Sequence, residues 1–241
     1  PRYANPAFRA AAATYMNKVF DAFPDLSALT IGPPDGGVTM DARDVTQYGE
    51  PGDSIVQKAS NYVWDFHVYL AGELKQTHPD KRLIYMTGAG ANLVPTNIEE
   101  FPDNLIVPLP GYSPAQRVLA TTERDLISRR EAWHAKMQTI RPAPVWNYFL
   151  WYRTPNHPRY PVFFTESLQR EMQEILPYCD GKFIEIQPAR ITNQDGRETM
   201  RLNTPGLIHL MVYLQNKLFW DPNLDRQALL DEYYTLFFGP A

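Results

Sequence analysis

Residues 54–87 read SIVQKASNYVWDFHVYLAGELKQTHPDKRLIYMT, and this stretch decides the fold class. Apolar residues recur every three or four positions from Ile55 onward, which predicts an amphipathic helix that begins after Ser54 and ends at His78-Pro79. The apolar run from Leu83 to Thr87 that follows has the length of a buried strand. A long helix that leads into one short strand is the repeating unit of a parallel sheet covered by helices.

The same pattern recurs along the chain. Helices are expected after the capping residues Asn5, Ser113 and Thr204, each followed by proline, and over Thr165 to Tyr178 and Asp225 to Phe237. Because no Asn-Gly hairpin signal separates the short apolar runs, they need crossover connections, which predicts an α/β fold with about five parallel strands. These runs are Leu29 to Gly32, Leu83 to Thr87, Leu105 to Leu109, Val145 to Trp151 and Phe183 to Gln187.

The sequence of the loop after the first strand distinguishes between two folds that contain parallel strands. It reads Gly32-Pro33-Pro34-Asp35-Gly36-Gly37, and its prolines lack the amides with which a doubly wound sheet binds phosphate. The other architecture is the eight-stranded TIM barrel of about 250 residues. We therefore predict that residues 1–241 form the later part of a TIM (β/α)8-type barrel, as a single catalytic-type domain. A self-contained flavodoxin-like domain is the alternative.

The chain begins Pro1-Arg2-Tyr3, without an initiator Met or a leader sequence. We expect an excised C-terminal portion of the barrel, of which the N-terminal part is missing. Under this hypothesis the strand at Leu29 to Gly32 lies at an open edge of the sheet, because the missing strands would pair with it.

Composition excludes several classes of protein. The formal net charge is −4 and no block of basic residues is present, which argues against a nucleic-acid partner. No apolar run reaches the roughly 18 to 20 residues of a membrane-spanning helix. The single Cys179 excludes an internal disulfide, and the five histidines lack the spacing of a zinc site, so no metal or other cofactor is predicted.

Both ends of the chain resemble a known family. The residues are Asn5-Pro6 and Leu29-Thr30-Ile31-Gly32-Pro33-Pro34-Asp35-Gly36 at the start, and Trp220-Asp221-Pro222 and Phe238-Gly239-Pro240-Ala241 at the end. They are similar to the DUF4838 family, glycoside-hydrolase-like proteins of polysaccharide-degrading bacteria. The resemblance implies a barrel related to those of hexosaminidases and α-glucuronidases, a carbohydrate partner, and a secreted or periplasmic location. The sequence itself leaves the compartment open.

Two carboxyl groups are the candidate catalytic residues. Asp35 directly follows a predicted strand, which places it at the carboxyl end of the barrel, where active sites of this fold assemble. Glu185 lies within an apolar strand, where a buried carboxylate is expected to have either an ion-pair or hydrogen-bond partner or a functional role. A glycosidase uses two such groups, as acid and as base or nucleophile. The alternatives are a turn-forming Asp35 and an ion pair of Glu185 with Arg190 or Arg153.

An aromatic segment is the candidate substrate surface. The later residues of the run Trp146 to Arg153 should emerge at the barrel mouth, where aromatic rings stack on pyranose faces. Packing against neighbouring helices is the alternative. The amide of Asn147 cannot act as a nucleophile or base, which would matter if its strand is the seventh. The predicted substrate-binding residues are Tyr112, Asn147, Trp151, Tyr152, Arg153, His157 and Tyr160.

Two further segments carry expectations. Asp41, Asp44 and Asp53 lie in an acidic stretch that is either a solvated loop, which the irregular spacing favours, or a Ca²⁺ loop. Trp220 and Tyr233 should be buried where the last two helices pack on the barrel.

The sequence thus predicts a carbohydrate-active protein, a glycoside hydrolase acting on a bacterial, plant or algal polysaccharide or oligosaccharide. A non-catalytic glycan-binding barrel that kept the aromatic residues is the rival hypothesis.

Overall fold

The computed structural model describes residues 2–32, 38–85, 93–110, 120–137, 145–149, 163–176, 179, 181–186, 189–192, 195, 198–201 and 205–240. The chain divides into two compact units: residues 1–110 with 127–144, and residues 111–126 with 145–241. Both units combine helices with strands, which confirms the α/β class. In the part of the chain that is described, no helix combines the length and apolar character needed to cross a membrane.

The described helices are α1 (Pro6–Ala22), α2 (Ala42–Gln47), α3 (Ile55–Thr77), α4 (Ala120–Lys136), α5 (Thr165–Ile175), α6 (Pro205–Trp220) and α7 (Arg226–Phe238). The described strands are β1 (Ala28–Ile31), β2 (Arg82–Tyr85), β3 (Leu105–Ile106), β4 (Leu109–Pro110), β5 (Val145–Phe149), β6 (Lys182–Ile186), β7 (Ala189–Thr192) and β8 (Glu198–Arg201).

The helices of the first unit begin where their capping residues predict. Asn5 Oδ1 accepts hydrogen bonds from two backbone N–H groups of the first turn of α1, and Pro6 is its first residue. Ser54 Oγ accepts a hydrogen bond from Gln57 N at 3.1 Å, and α3 runs from there to its C-cap at His78. Local side-chain chemistry therefore fixes both helix starts.

The first unit has a parallel sheet with the order β1-β2-β3. Leu29 is in register with Leu83 across the β1–β2 pair, and Leu83 with Leu105 across the β2–β3 pair. The prediction of parallel pairing is confirmed for these strands. Among the described strands, β1 has a neighbour on one side only, so it forms an edge of this sheet.

The core of the first unit is aromatic and centres on α3. The Trp64 ring meets that of Tyr85 edge to face at a centroid distance of 4.3 Å and lies 4.9 Å from that of Trp133. The expected apolar stripe is partly wrong, because Ile55 is 62% exposed while His67 is buried. The reason is that the buried face begins only in the second turn and then extends around more of the helix than a single stripe.

The second unit holds another parallel pair, β5 with β6, in register from Val145 and Lys182 to Phe149 and Ile186. Helix α5 lies against one face of β6: the buried Nζ of Lys182 is 3.9 Å from Oε2 of Glu171, which is also buried. The strands at residues 145–149 and 182–186 are therefore confirmed as a parallel pair.

The sequence analysis missed the antiparallel hairpin of β7 and β8, in which Ala189 pairs with Arg201 and Thr192 with Glu198. This hairpin lies after the last of the five predicted runs, so it does not affect the prediction of parallel pairing among them, and the sequence between β7 and β8 contains Asp195-Gly196. This dipeptide favours tight turns as Asn-Gly does, since both residues tolerate positive φ.

Of the two aromatic residues expected to be buried in the terminal helices α6 and α7, one is buried and the other is exposed. Tyr233 is buried, and its hydroxyl lies 2.8 Å from His209 Nδ1. Trp220, in contrast, is 91% exposed, so its predicted burial is wrong. At 100° per residue, Trp220 lies about 200° around α6 from the buried Leu218, which places it on the opposite side.

Candidate functional site

Most of the predicted site lies outside the described residues, and the expectations for it stay predictions. These residues are Asp35, Tyr112, Trp151, Tyr152, Arg153, His157 and Tyr160.

The structure places the backbone of the two other predicted residues on adjacent parallel strands. Asn147 is in register with Ile184, and Tyr148 with Glu185, which is the penultimate residue of β6. In-register residues of parallel strands share a face, so position 147 lies on the face of position 184, whereas position 185 lies on the opposite face. The structure therefore does not bring these two positions together on one face.

The face of β6 at position 185 follows from its neighbours. Residue 182 lies on the face covered by α5, whereas Phe183 is 50% exposed on the other. Because strand positions alternate between faces, position 185 falls on the face of Phe183, away from α5. In a barrel, the face away from the helices is the interior.

The acidic stretch forms a helix start, so its description as a solvated loop was wrong. Asp41 caps α2 by accepting from the backbone N–H of Asp44 at 3.0 Å, and the Asp44 carboxylate accepts in return from Asp41 N at 3.2 Å. The Asp44 N–H holds the pKa of Asp41 below its usual value, and Arg2 adds to this at 2.6 Å. Asp53 accepts from Glu50 N. Within the described ranges no group of three metal-ligating side chains occurs, so the Ca²⁺ alternative gains no support.

The first unit contains an open cleft of about 440 Å³ that the sequence analysis did not predict, here called the Arg9 cleft. It lies where the start of α1, the end of α2 and the middle of α3 meet. Its polar and aromatic lining residues are Arg9, Gln47, Tyr48, Asp65, Tyr69 and Asn97.

Arg9 is the centre of the cleft. Its Nε donates to the backbone carbonyl of Tyr3 at 2.7 Å, and its Nη2 forms an ion pair with Asp65 Oδ2. Its guanidinium carbon also lies 5.2 Å from the ring centroid of Tyr69, within the range of a cation–π contact. These three contacts, one with Tyr3 and two with residues of α3, hold the guanidinium in one orientation.

Tyr48 completes the cluster as a hydrogen-bond donor. Its hydroxyl donates to Asp65 Oδ2 at 3.0 Å and accepts from Arg9 Nη2 at 3.4 Å. Burial, together with the negative charge of Asp65, raises the pKa of Tyr48 to about 12. The phenol therefore stays protonated at neutral pH.

The arrangement suits binding better than bond cleavage. Arg9 and Asp65 cancel each other's charge, and Asp65 is the one carboxylate among the described lining residues. A glycosidase of the common type needs two. No sequence motif reveals this cluster, since Arg9 and Asp65 are 56 residues apart. The spacing of Asp65 and Tyr69 on one helix face is the single signal available.

A second polar group, His67, has a structural role. Its Nδ1 lies 2.7 Å from the carbonyl oxygen of Val63, and because a carbonyl only accepts, Nδ1 carries the proton. Burial lowers the pKa of His67 to about 4, so the ring is neutral at pH 7. The ring centroids of His67 and Tyr85 are 3.9 Å apart. The Tyr85 hydroxyl is buried and has no hydrogen-bond partner among the described residues.

Comparison with family models, with curated proteins and with solved structures gives no match for this chain. The resemblance to the DUF4838 family therefore stays a prediction.

Proposed function

We propose that the chain is the later part of a TIM (β/α)8-type barrel and acts on carbohydrate as a glycoside hydrolase, with Asp35 and Glu185 as its catalytic carboxyls. The observation that carries the proposal is the position of residue 185. It is one residue from the carboxyl end of a parallel strand, on the face away from α5. In a barrel this position faces the interior near the catalytic mouth.

The strand order also favours a barrel. In the first unit the order of the strands in the sheet, β1-β2-β3, is the same as their order in the sequence. In a barrel each new strand is likewise added beside the previous one, always in the same direction. A doubly wound sheet reverses its order at a switch point, which is where its ligand binds. The edge at β1 gives a further barrel strand a place to pair. The flavodoxin-like alternative has less support.

The proposed mechanism follows from the strand count. If β3 and β4, which both fall on the single predicted run Leu105 to Leu109, count as one barrel strand, β1 and β6 are the fourth and eighth strands. Asp35 and Glu185 would then approach a substrate from opposite sides of the barrel axis. Their carboxyls would then be separated by at least the roughly 6.5 to 9.5 Å of inverting enzymes, which leaves room for a water molecule. One carboxyl would protonate the leaving oxygen and the other would activate that water, with Trp151 or Tyr152 stacked on a sugar ring.

A non-catalytic glycan-binding barrel is the second candidate, and Asn147 is the residue that favours it. Asn147 lies on β5, beside the strand of Glu185. An amide cannot act as a nucleophile or base, so if β5 is the seventh barrel strand, Asn147 leaves that strand without a catalytic carboxyl.

A panel of chromogenic glycosides tests the proposal. We expect the wild type to hydrolyse at least one of them, and Asp35→Asn and Glu185→Gln each to lower kcat by about 10³-fold, as loss of an acid or base does. Asp25→Asn and Glu99→Gln are matched controls at exposed positions and should leave kcat unchanged. Sugar binding without turnover would favour the glycan-binding barrel, and full activity in both catalytic-site variants would contradict the assignment.

A further inference from the structure

The Arg9 cleft has an electrostatic character that limits its ligand. The positive charge of Arg9 is neutralised by Asp65 across a direct ion pair, and no other charged side chain is among the described lining residues. A phosphate or carboxylate ligand would need an uncompensated cation, and a metal ion would need several carboxylates. The chemistry of the cleft therefore fits a neutral ligand.

Hydrogen-bonding capacity remains in the cleft after the internal bonds are counted. Asp65 uses Oδ2 for both Arg9 and Tyr48, and no described residue donates to its Oδ1. Arg9 uses Nε and Nη2, and no described residue accepts from Nη1. One acceptor, on Asp65, and one donor, on Arg9, thus keep their hydrogen-bonding capacity, which suits a ligand that carries hydroxyl groups.

The side chains of the cleft are positioned before any ligand arrives. Tyr48 is buried, and Arg9 is 18% exposed and held at Nε by the Tyr3 carbonyl. The half-buried ring of Tyr69 lies beside the guanidinium and adds an apolar surface to the polar groups. A binding site in which the polar groups are already fixed loses little conformational entropy when it binds.

From these observations we infer that the Arg9 cleft binds a neutral sugar ring, with hydroxyls on Asp65 Oδ1 and Arg9 Nη1 and the ring against Tyr69. A volume of about 440 Å³ holds one or two pyranose units. The choice of a sugar over another neutral polyol rests on the proposed function. The plain alternative is that the Arg9–Asp65 pair only ties α1 to α3.

Isothermal titration calorimetry with cellohexaose, xylohexaose, mannohexaose, laminarihexaose and chitohexaose tests this inference. We expect at least one to bind the wild type, and Tyr69→Ala and Asp65→Asn each to weaken that binding by about tenfold or more. Tyr15→Ala is the matched control, since Tyr15 is a tyrosine of α1 that is 70% exposed and outside the cleft. It should leave the affinity unchanged. Asp65→Asn keeps the shape of the side chain and serves as the informative variant if Tyr69→Ala does not fold.

The outcomes separate this inference from the proposed function when hydrolysis of the same oligosaccharides is followed in parallel. Weaker binding in both cleft variants supports the inference that the Arg9 cleft binds sugar, whether or not the wild type hydrolyses the sugar. If both cleft variants keep the wild-type affinity while hydrolysis depends on Glu185, the inference of sugar binding in the Arg9 cleft is overturned. The proposed function is then unaffected. If no member of the panel binds, the inference is overturned as well.

Discussion

The hydroxyl of Tyr48 donates to Asp65 Oδ2 at 3.0 Å, the same oxygen that Arg9 contacts, so one carboxylate oxygen joins α3 to α1 and to the end of α2. The other oxygen of Asp65 is left for a ligand. This division between a structural and a binding oxygen makes the cleft testable by substitutions that affect one role and not the other.

The first prediction concerns the strength of the Arg9–Asp65 pair. Asp65 is 37% exposed, so solvent screens the interaction, and a double-mutant cycle of Arg9→Ala and Asp65→Ala should give a coupling energy of about 1 kcal/mol or less. Urea unfolding of the four proteins measures it. A coupling of about 3 kcal/mol or more is the value of a buried pair, and would favour a purely structural role.

The second prediction concerns the buried hydroxyl of Tyr85. Because no described residue bonds to it, Tyr85→Phe should raise the free energy of unfolding by about 1 kcal/mol, the desolvation penalty of an unsatisfied polar group. Tyr48→Phe is the control, since it removes a hydroxyl that does have a partner, and it should lower stability by about 1 kcal/mol. Destabilisation by Tyr85→Phe would mean that its hydroxyl has a partner after all.

The third prediction concerns pH. The pKa of His67 falls from 6.5 in the unfolded chain to about 4 in the folded protein, so the unfolded state binds the additional proton. The contribution of His67 to the free energy of unfolding is therefore fully present above about pH 6.5. It decreases as the pH falls towards 4, by about 3 kcal/mol in total. Urea unfolding at pH 7.5 and 4.5 should show a clearly smaller loss in His67→Phe than in the wild type. Equal losses in the two proteins would contradict the assignment.

The fourth prediction contrasts the two aromatic residues of the terminal helices. Tyr233→Ala should destabilise the protein by about 3 kcal/mol, because Tyr233 is buried and its hydroxyl contacts His209. Trp220→Ala should change stability by less than about 0.5 kcal/mol, because Trp220 is exposed. Thermal unfolding of both variants measures the difference, and a large effect of Trp220→Ala would show that this residue is covered in the protein.

Features with a local cause could be predicted from the sequence. Asn5 and Ser54 cap helices through bonds to residues two or three positions away, and the strands begin within one residue of the predicted starts. The prediction of a single strand at Leu105 to Leu109 was wrong, because β3 and β4 are two short strands of different sheets. The hairpin of β7 and β8 also has a local signal, because Asp195-Gly196 lies between the two strands and favours tight turns.

Features with a tertiary cause could not be predicted. In the Arg9 cleft, the hydrogen-bonded side chains of Arg9, Tyr48 and Asp65 are 17 to 56 residues apart in sequence. Neither Arg9 nor Asp65 differs by itself from an ordinary exposed charge on a helix. The exposure of Trp220 depends on which side of α6 meets its neighbours. The aromatic composition that suggested a sugar platform is partly explained by the core around Trp64.

Whether Glu185 belongs to a carbohydrate-cleaving site can be measured by NMR of the anomeric protons during oligosaccharide hydrolysis. We expect the wild type to release products of inverted anomeric configuration and Glu185→Gln to release none over the same period. Glu99→Gln should behave as the wild type does. Equal product release by Glu185→Gln and the wild type would contradict the assignment of Glu185 to such a site.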